Sequence, residues 1–159
     1  MATLKKRIVP HLWYDKEAKE AAKFYCSVFP NSKILRTSHY GEGAPGPKGS
    51  VMTVEFELDG QRHTALNGGP TFKLTEAFSL MVHCKTQKEV DTYWEKLLEG
   101  GEESQCGWLK DRYGLSWQIV PTVMDEMMRD KDPKKVARVV QAFLPMKKFD
   151  IAALERAAA

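Results

Sequence analysis

Apolar and polar positions change their period several times along the chain, and they do so in the same order twice. Ile8 to Tyr14 is a short apolar run with Pro10 inside it, which fits a strand of the sheet-edge type. From Lys16 to Phe29, the positions Ala18, Ala21, Ala22, Tyr25, Val28 and Phe29 recur at helical spacing. Asp15 is placed to cap this helix, and Pro30-Asn31-Ser32 stops it. Lys33 to Tyr40 is strand-like, and Gly41 to Gly49 is too rich in glycine and proline for regular structure. Met52, Val54, Phe56 and Leu58 then alternate with Thr53, Glu55 and Glu57, the period of a half-buried strand. Asp59-Gly60 is a hairpin turn, Gln61 to Leu66 the returning strand, and Asn67-Gly68-Gly69-Pro70 its end.

The second half repeats the order. Ala77 to Lys85 reads as a strand, and Thr86-Gln87-Lys88-Glu89 fits a capping box. The helix that follows carries Val90, Tyr93, Trp94, Leu97 and Leu98 on one face and ends at Gly100-Gly101. Two short strands around Glu103 to Leu109, a tight turn at Asp111-Arg112-Tyr113-Gly114 and a strand from Leu115 to Val120 complete the unit. The remainder is helical. Met124, Met127 and Met128 fit one short helix; Asp132-Pro133 starts another, with proline where its missing N–H costs nothing. Val136, Val139, Val140, Phe143 and Leu144 form an apolar stripe that must bury against the chain's own sheet or a partner subunit. Pro145 stops this helix, Asp150 caps a last one, and Ala157–Ala159 is expected to fray.

Composition narrows the function classes. With 159 residues, 43% hydrophobic and 28% charged, the chain has globular composition and needs neither disulfide nor metal to fold. A net charge of +3, spread evenly, does not argue for nucleic acid, and the Lys5-Lys6-Arg7 cluster reads as a solvated arm. No apolar run is long enough to span a membrane, and Met1 to Lys5 lacks the apolar core of a signal peptide. Cys26, Cys84 and Cys106 lack metal-site spacing and read as reduced thiols of a cytoplasmic protein. Gly41-x-Gly43-x-x-Gly46 satisfies a dinucleotide pattern but leads into a strand and contains Pro45, so a mobile loop, with a possible role as a lid, is the better reading. Cys106 has no basic neighbours to activate it, and Trp108, Tyr113 and Trp117 suit either ligand stacking or packing in a core or dimer interface.

A strand–helix–strands unit occurring twice resembles the glyoxalase/bleomycin-resistance/dioxygenase superfamily, also called the vicinal oxygen chelate fold. Within it the chain is similar to the PhnB-like family, which carries the label 3-demethylubiquinone-9 3-methyltransferase domain. The matching stretches are Leu12-Trp13-Tyr14-Asp15, Val28-Phe29-Pro30-Asn31-Ser32, Leu66-Asn67-Gly68-Gly69-Pro70, Glu76-Ala77-Phe78-Ser79, Cys106-Gly107-Trp108 and Ser116-Trp117-Gln118. The resemblance implies an α+β fold in one domain over 1–159: duplicated βαβββ units at 8–70 and 77–121 forming a curved eight-stranded mixed sheet around a cleft, with a helical extension at 122–159. It also implies a homodimer.

In the metal-using branches four inward side chains hold a divalent ion. Alignment places those positions at Pro10 (or His11 with a one-residue slip), His63, Ser79 and Gln118, a poor donor set, so no metal and no other cofactor is expected. Alternation puts Leu12, Tyr14, His63, Ala65, Asn67, Ser79, Met81, His83, Ser116, Gln118 and Val120 on one face, and Trp13, Thr64, Leu66, Leu80, Val82, Trp117 and Ile119 on the helix-packed one. The first face is the expected cleft lining, with Tyr14, His63, Asn67, Ser79, His83 and Gln118 as ligand-binding residues. The expected function is binding of a small molecule without chemistry. The alternative is a lyase, isomerase or dioxygenase that uses a metal or a histidine base, His63 or His83. A methyltransferase is disfavoured because no strand–glycine loop–helix unit is present for its cofactor.

Overall fold

The computed structural model describes residues 6–159, so Met1 to Lys5, including one residue of the basic cluster, lie outside the described residues. The chain divides into two compact units, Met1–Leu74 and Thr75–Ala159.

The first unit contains β1 (His11–Tyr14), α1 (Ala18–Val28), β2 (Lys33–His39), β3 (Val51–Leu58) and β4 (Gln61–Asn67) in a sheet of order β1-β4-β3-β2. β1 and β4 are parallel, with His11 opposite Thr64 and Tyr14 opposite Asn67; the other pairs are antiparallel. Asp59 and Gly60 both take positive φ, 46° and 73°, as the tight β3–β4 hairpin requires. α1 begins at Ala18, later than the sequence suggested, and Asp15 does not cap it. The N-cap is Glu17, without a side-chain bond, and Asn67 Oδ1 accepts the Ala18 N–H at 2.8 Å instead. A residue distant in sequence thus satisfies one of the helix's orphan amides.

The second unit repeats the topology. β5 (Ser79–Cys84), α2 (Gln87–Leu98), β6 (Glu102–Glu103), β7 (Trp108–Lys110) and β8 (Ser116–Pro121) form a sheet of order β5-β8-β7-β6, again with a parallel first-to-last pair. Thr86 caps α2 as expected, its Oγ1 accepting the Glu89 N–H at 3.2 Å; the Glu89 carboxylate accepts the N–H of Lys85, one residue before the cap, at 2.6 Å, so the reciprocal half of the capping box is shifted by one residue. The βαβββ duplication is therefore present. The strands form two four-stranded ladders rather than one continuous eight-stranded ladder.

Three helices follow: α3 (Thr122–Met128), α4 (Pro133–Phe143) and α5 (Ile151–Ala158). Asp132 and Asp150 cap α4 and α5 through the Lys134 and Ala153 amides. The apolar stripe of α4 is covered by its own unit at Val139 and Phe143, whereas Leu144 is 56% exposed. Val139 is fully buried in a cluster with Met124, Met127, Phe149 and Leu154, and Phe143, Val120 and Cys106 pack around it. The tail is held: Arg138 Nε donates to the Ala157 carbonyl at 3.0 Å and Arg138 Nη2 to that of Ala159 at 3.1 Å. The expected fraying is thus opposed by a guanidinium bridging the last carbonyls of α5.

Candidate functional site

In the first unit the two sheet faces are the reverse of the sequence expectation. Leu12, Tyr14, His63 and Ala65 are buried, on the side packed by α1, whereas Trp13, Thr64 and Leu66 are only partly buried. Three alanines of α1, Ala18, Ala21 and Ala22, are fully buried and let the helix approach the sheet closely. The Tyr14 hydroxyl meets that of Tyr25 at 2.9 Å, and the His63 ring stacks on Phe56 at 5.3 Å between centroids. Tyr14 and His63 are therefore core residues and do not line an open face. Trp13 instead lies against Gly68, places its ring edge-on to Phe72 and donates Nε1–H to the Gly69 carbonyl at 2.9 Å.

His63 sits 2.8 Å from the Gln61 carbonyl through Nδ1, the geometry of a neutral imidazole donating a proton. Burial lowers its pKa, and the bond to Gln61 opposes this in part. The folded value thus lies below the unfolded one, near 6.5, and the unfolded state binds the proton first as pH falls. His63 makes its full contribution above that pH, and the contribution is lost as pH drops toward the lowered folded value. Urea unfolding of a His63→Phe variant between pH 7.5 and 5 is expected to show a shallower acid decline than the unaltered chain; parallel profiles would refute this.

Asn67 ties three segments together. Its Oδ1 accepts from Ala18, its Nδ2 donates to the Val51 carbonyl at 3.1 Å, and its own carbonyl accepts the Tyr40 hydroxyl at 2.6 Å. It also lines a cavity of about 450 Å³, with Lys16, Lys19, Tyr40, Pro45 and Pro47 among its walls. The glycine-rich loop thus joins β2 to β3 and forms one side of this cavity. Its hydrogen bonds, including Gly49 N–H to the Tyr40 carbonyl at 2.8 Å, shape it as an ordered turn.

In the second unit the expected faces are observed. Trp117 and Ile119 are buried on the α2 side, so Ser79, Met81 and His83 of β5 and Ser116, Gln118 and Val120 of β8 occupy the opposite face. Gln118 Nε2 donates to Ser79 Oγ at 2.9 Å. His83 Nδ1 lies 3.8 Å from a carboxylate oxygen of Asp125 on α3, a partner the sequence reading did not find because it is set by the strand-to-helix turn. Trp108 and Lys110 of β7 are in register with Gln118 and Ser116, and Lys110 is bound by Glu76, just before β5. This ion pair was also missed, since nothing local in sequence couples the two residues. Ser116 is 1% exposed, and among the described residues its hydroxyl is a buried side-chain atom without a hydrogen-bond partner, a state that costs about 1–3 kcal/mol.

The expected ligand residues therefore do not act as one set. Ser79, Gln118 and His83 share an open face, Asn67 belongs to a cavity wall, and Tyr14 and His63 are internal. The implied chelate positions suit a divalent ion poorly. Pro10 offers no side-chain donor, His63 is buried on the α1 side against Phe56, and Ser79 and Gln118 are neutral and bound to each other. Among the described residues no group of three or more His, Cys, Asp or Glu is placed to hold a metal. Two of the thiols are poor nucleophiles: burial, helped by the Glu89 charge, pushes Cys84 up to about 12, and burial raises Cys26. No described helix is long and apolar enough to cross a membrane.

Comparison with known proteins gives a consistent picture. Residues 6–120 match the family described as 3-demethylubiquinone-9 3-methyltransferase. A PhnB protein from Bacillus cereus that bears the same enzyme name is 35% identical; the match covers 74% of this chain and 100% of that one, with a TM-score of 0.68. Protein PA1353 from Pseudomonas aeruginosa is 19% identical over 74% of this chain and 98% of its own, with a TM-score of 0.62. The fosfomycin resistance protein FosX from Listeria monocytogenes is 14% identical over 80% of this chain and 100% of its own, with a TM-score of 0.57. The last two show likeness of fold alone. No protein of curated function matches the chain.

Proposed function

The chain belongs to the 3-demethylubiquinone-9 3-methyltransferase domain family, the PhnB-like branch of the vicinal oxygen chelate superfamily, and from that premise we propose that it binds a small molecule on the open face of its second sheet without a divalent metal. The observation that carries the reading is the Gln118–Ser79 hydrogen bond. Two neutral side chains occupy chelate positions and satisfy one another, leaving a polar patch suited to hydrogen bonding rather than to ion coordination. FosX has been crystallised with Mn(II), which makes manganese the appropriate challenge. Millimolar Mn(II) is expected to leave Tm unchanged within about 1 °C, because only a ligand that prefers the folded state raises it. A rise of several degrees that is lost in Gln118→Ala would overturn the metal-free reading. A small-molecule fragment screen read by NMR is expected to shift the Gln118 side-chain amide; a blank screen would overturn the binding-face reading.

The family label does not fit a methyl-transfer site. The one G-x-G-x-x-G stretch lies between β2 and β3 and opens no helix, so a nucleotide-like methyl donor has no helix N-terminus to bind there. Calorimetry with S-adenosylmethionine is expected to show no binding. A second reading, proton transfer, is favoured by His83 beside Asp125, both about half exposed on that face. Turnover of a molecule found by the screen, abolished in His83→Gln, would support it. The homodimer implied by the resemblance and the cytoplasmic location read from the cysteines belong to this proposal. The free thiols Cys26, Cys84 and Cys106 suit a reducing compartment.

A further inference from the structure

The open face of the second sheet is laid out in rows. Side chains opposite one another on neighbouring strands share a face, and adjacent strands are about 5 Å apart. The first row runs Ser79, Ser116, Lys110 across β5, β8 and β7; the second runs Met81, Gln118, Trp108. Two residues along a strand separate the rows, a distance of about 7 Å. The first row is rich in hydrogen-bond donors. Ser79 Oγ accepts from Gln118 and so keeps its own proton to give, the Ser116 hydroxyl has no partner, and Lys110 is cationic. The second row places an amide between a thioether and an indole, and Met81 is 48% exposed, unusual for a large apolar side chain in a sheet.

The Lys110 charge is already met by a carboxylate. Glu76 joins the chain just ahead of β5 to β7, and so reaches across the start of β8 at Ser116. Glu76 is 63% exposed in its side chain and lies outside any regular element, whereas Lys110 is fixed on a strand. A second carboxylate, Glu102, is in register with Lys110 from β6. The Glu76 carboxylate thus occupies the position an incoming acid would take, on an exposed side chain whose rotation yields it.

Resting on the binding reading above, we propose that the ligand is a small aromatic or similarly apolar monocarboxylate. Its acid group replaces Glu76 at Lys110 and takes the Ser116 and Ser79 hydroxyl protons, while its apolar body lies over Gln118 between Met81 and Trp108. The row spacing matches a molecule whose acid and ring are separated by one or two carbons. Glu76 is then an internal competitor that keeps Lys110 paired when no ligand is bound.

The test uses phenylacetate and its neutral amide, phenylacetamide, titrated into the full chain and read from the Trp108 indole and Gln118 side-chain amide signals. Phenylacetate is expected to bind with a Kd about tenfold higher in Lys110→Gln, the loss of one charge-assisted hydrogen bond, and several-fold lower in Glu76→Gln. Ser116→Ala is expected to weaken binding while Tm is unchanged or raised, because it removes an unpaired buried hydroxyl. A purely structural serine would not separate the two readouts in this way. Equal affinity for acid and amide, or indifference to both Lys110→Gln and Glu76→Gln, would overturn the carboxylate assignment and leave the binding face standing. No shift with either probe would also overturn it, and the broader reading falls only if the fragment screen is blank as well.

Discussion

Asp111→Ala is expected to destabilise the protein by about 4 kcal/mol, lowering Tm by roughly 10 °C. Asp111 is 3% exposed, and its carboxylate accepts the Tyr113 N–H at 2.8 Å, the Leu115 N–H at 3.1 Å and the Trp117 Nε1–H at 2.8 Å. The first two bonds fold the turn between β7 and β8; the third fixes the largest fully buried side chain. Alanine would leave these donors without their acceptor, at about 1–3 kcal/mol for each buried one, and would free the turn that sets the β7–β8 register. Asp111→Asn keeps one acceptor oxygen and should cost about half as much. Urea unfolding of both variants checks the order, and equal, small effects would show that the turn stands without the carboxylate.

Gly107→Ala is the second large effect, at about 3 kcal/mol. Gly107 has φ +79°, a region that penalises any side chain, and an added Cβ would lie 2.4 Å from the Phe149 ring and 2.8 Å from the Ile119 carbonyl oxygen. Its N–H donates to the Lys147 carbonyl at 2.7 Å, its carbonyl accepts the Ile119 N–H at 2.8 Å, and Cys106 N–H donates to Met146 at 2.8 Å. This short stretch anchors the α4–α5 connection to the sheet, and Gln87 holds Phe149 and Ile151 from the other side. Displacing Phe149 should therefore loosen α4 and α5 together. Hydrogen exchange in Gly107→Ala is expected to rise in those helices and to stay low in β1, β3 and β4; uniform protection would refute the anchoring role.

The elements that local chemistry specifies were legible in sequence. Thr86, Asp132 and Asp150 cap the helices they were expected to cap, and Asp59-Gly60 turns the chain where expected. The faces of the second sheet were legible because Trp117 and Ile119 contrast with Ser116 and Gln118. The faces of the first were not. Both sides of β1 and β4 carry apolar and polar groups, so alternation has two solutions one residue apart, and the more apolar set, with Trp13 and Leu66, was expected against the helices. What decides the matter is the thin alanine face of α1, which leaves room for Tyr14 and Ala65 but finds its significance only once the helix is docked. The same limit hid Asn67 as the acceptor for α1 and Glu76 as the partner of Lys110, contacts between segments with no shared pattern.

In each sheet the strand made first lies beside the strand made last: His11 faces Thr64, and Ser79 faces Ser116. During synthesis, at roughly 5–20 residues per second, β1 must therefore wait for several seconds before its ladder partner β4 leaves the ribosome. The α1–β3 packing can assemble in that interval, but the backbone of β1 finds its ladder partner only when the hairpin has delivered β4. Each half of this chain thus carries a period of exposure to chaperones and to like chains, written into the order in which its strands are translated.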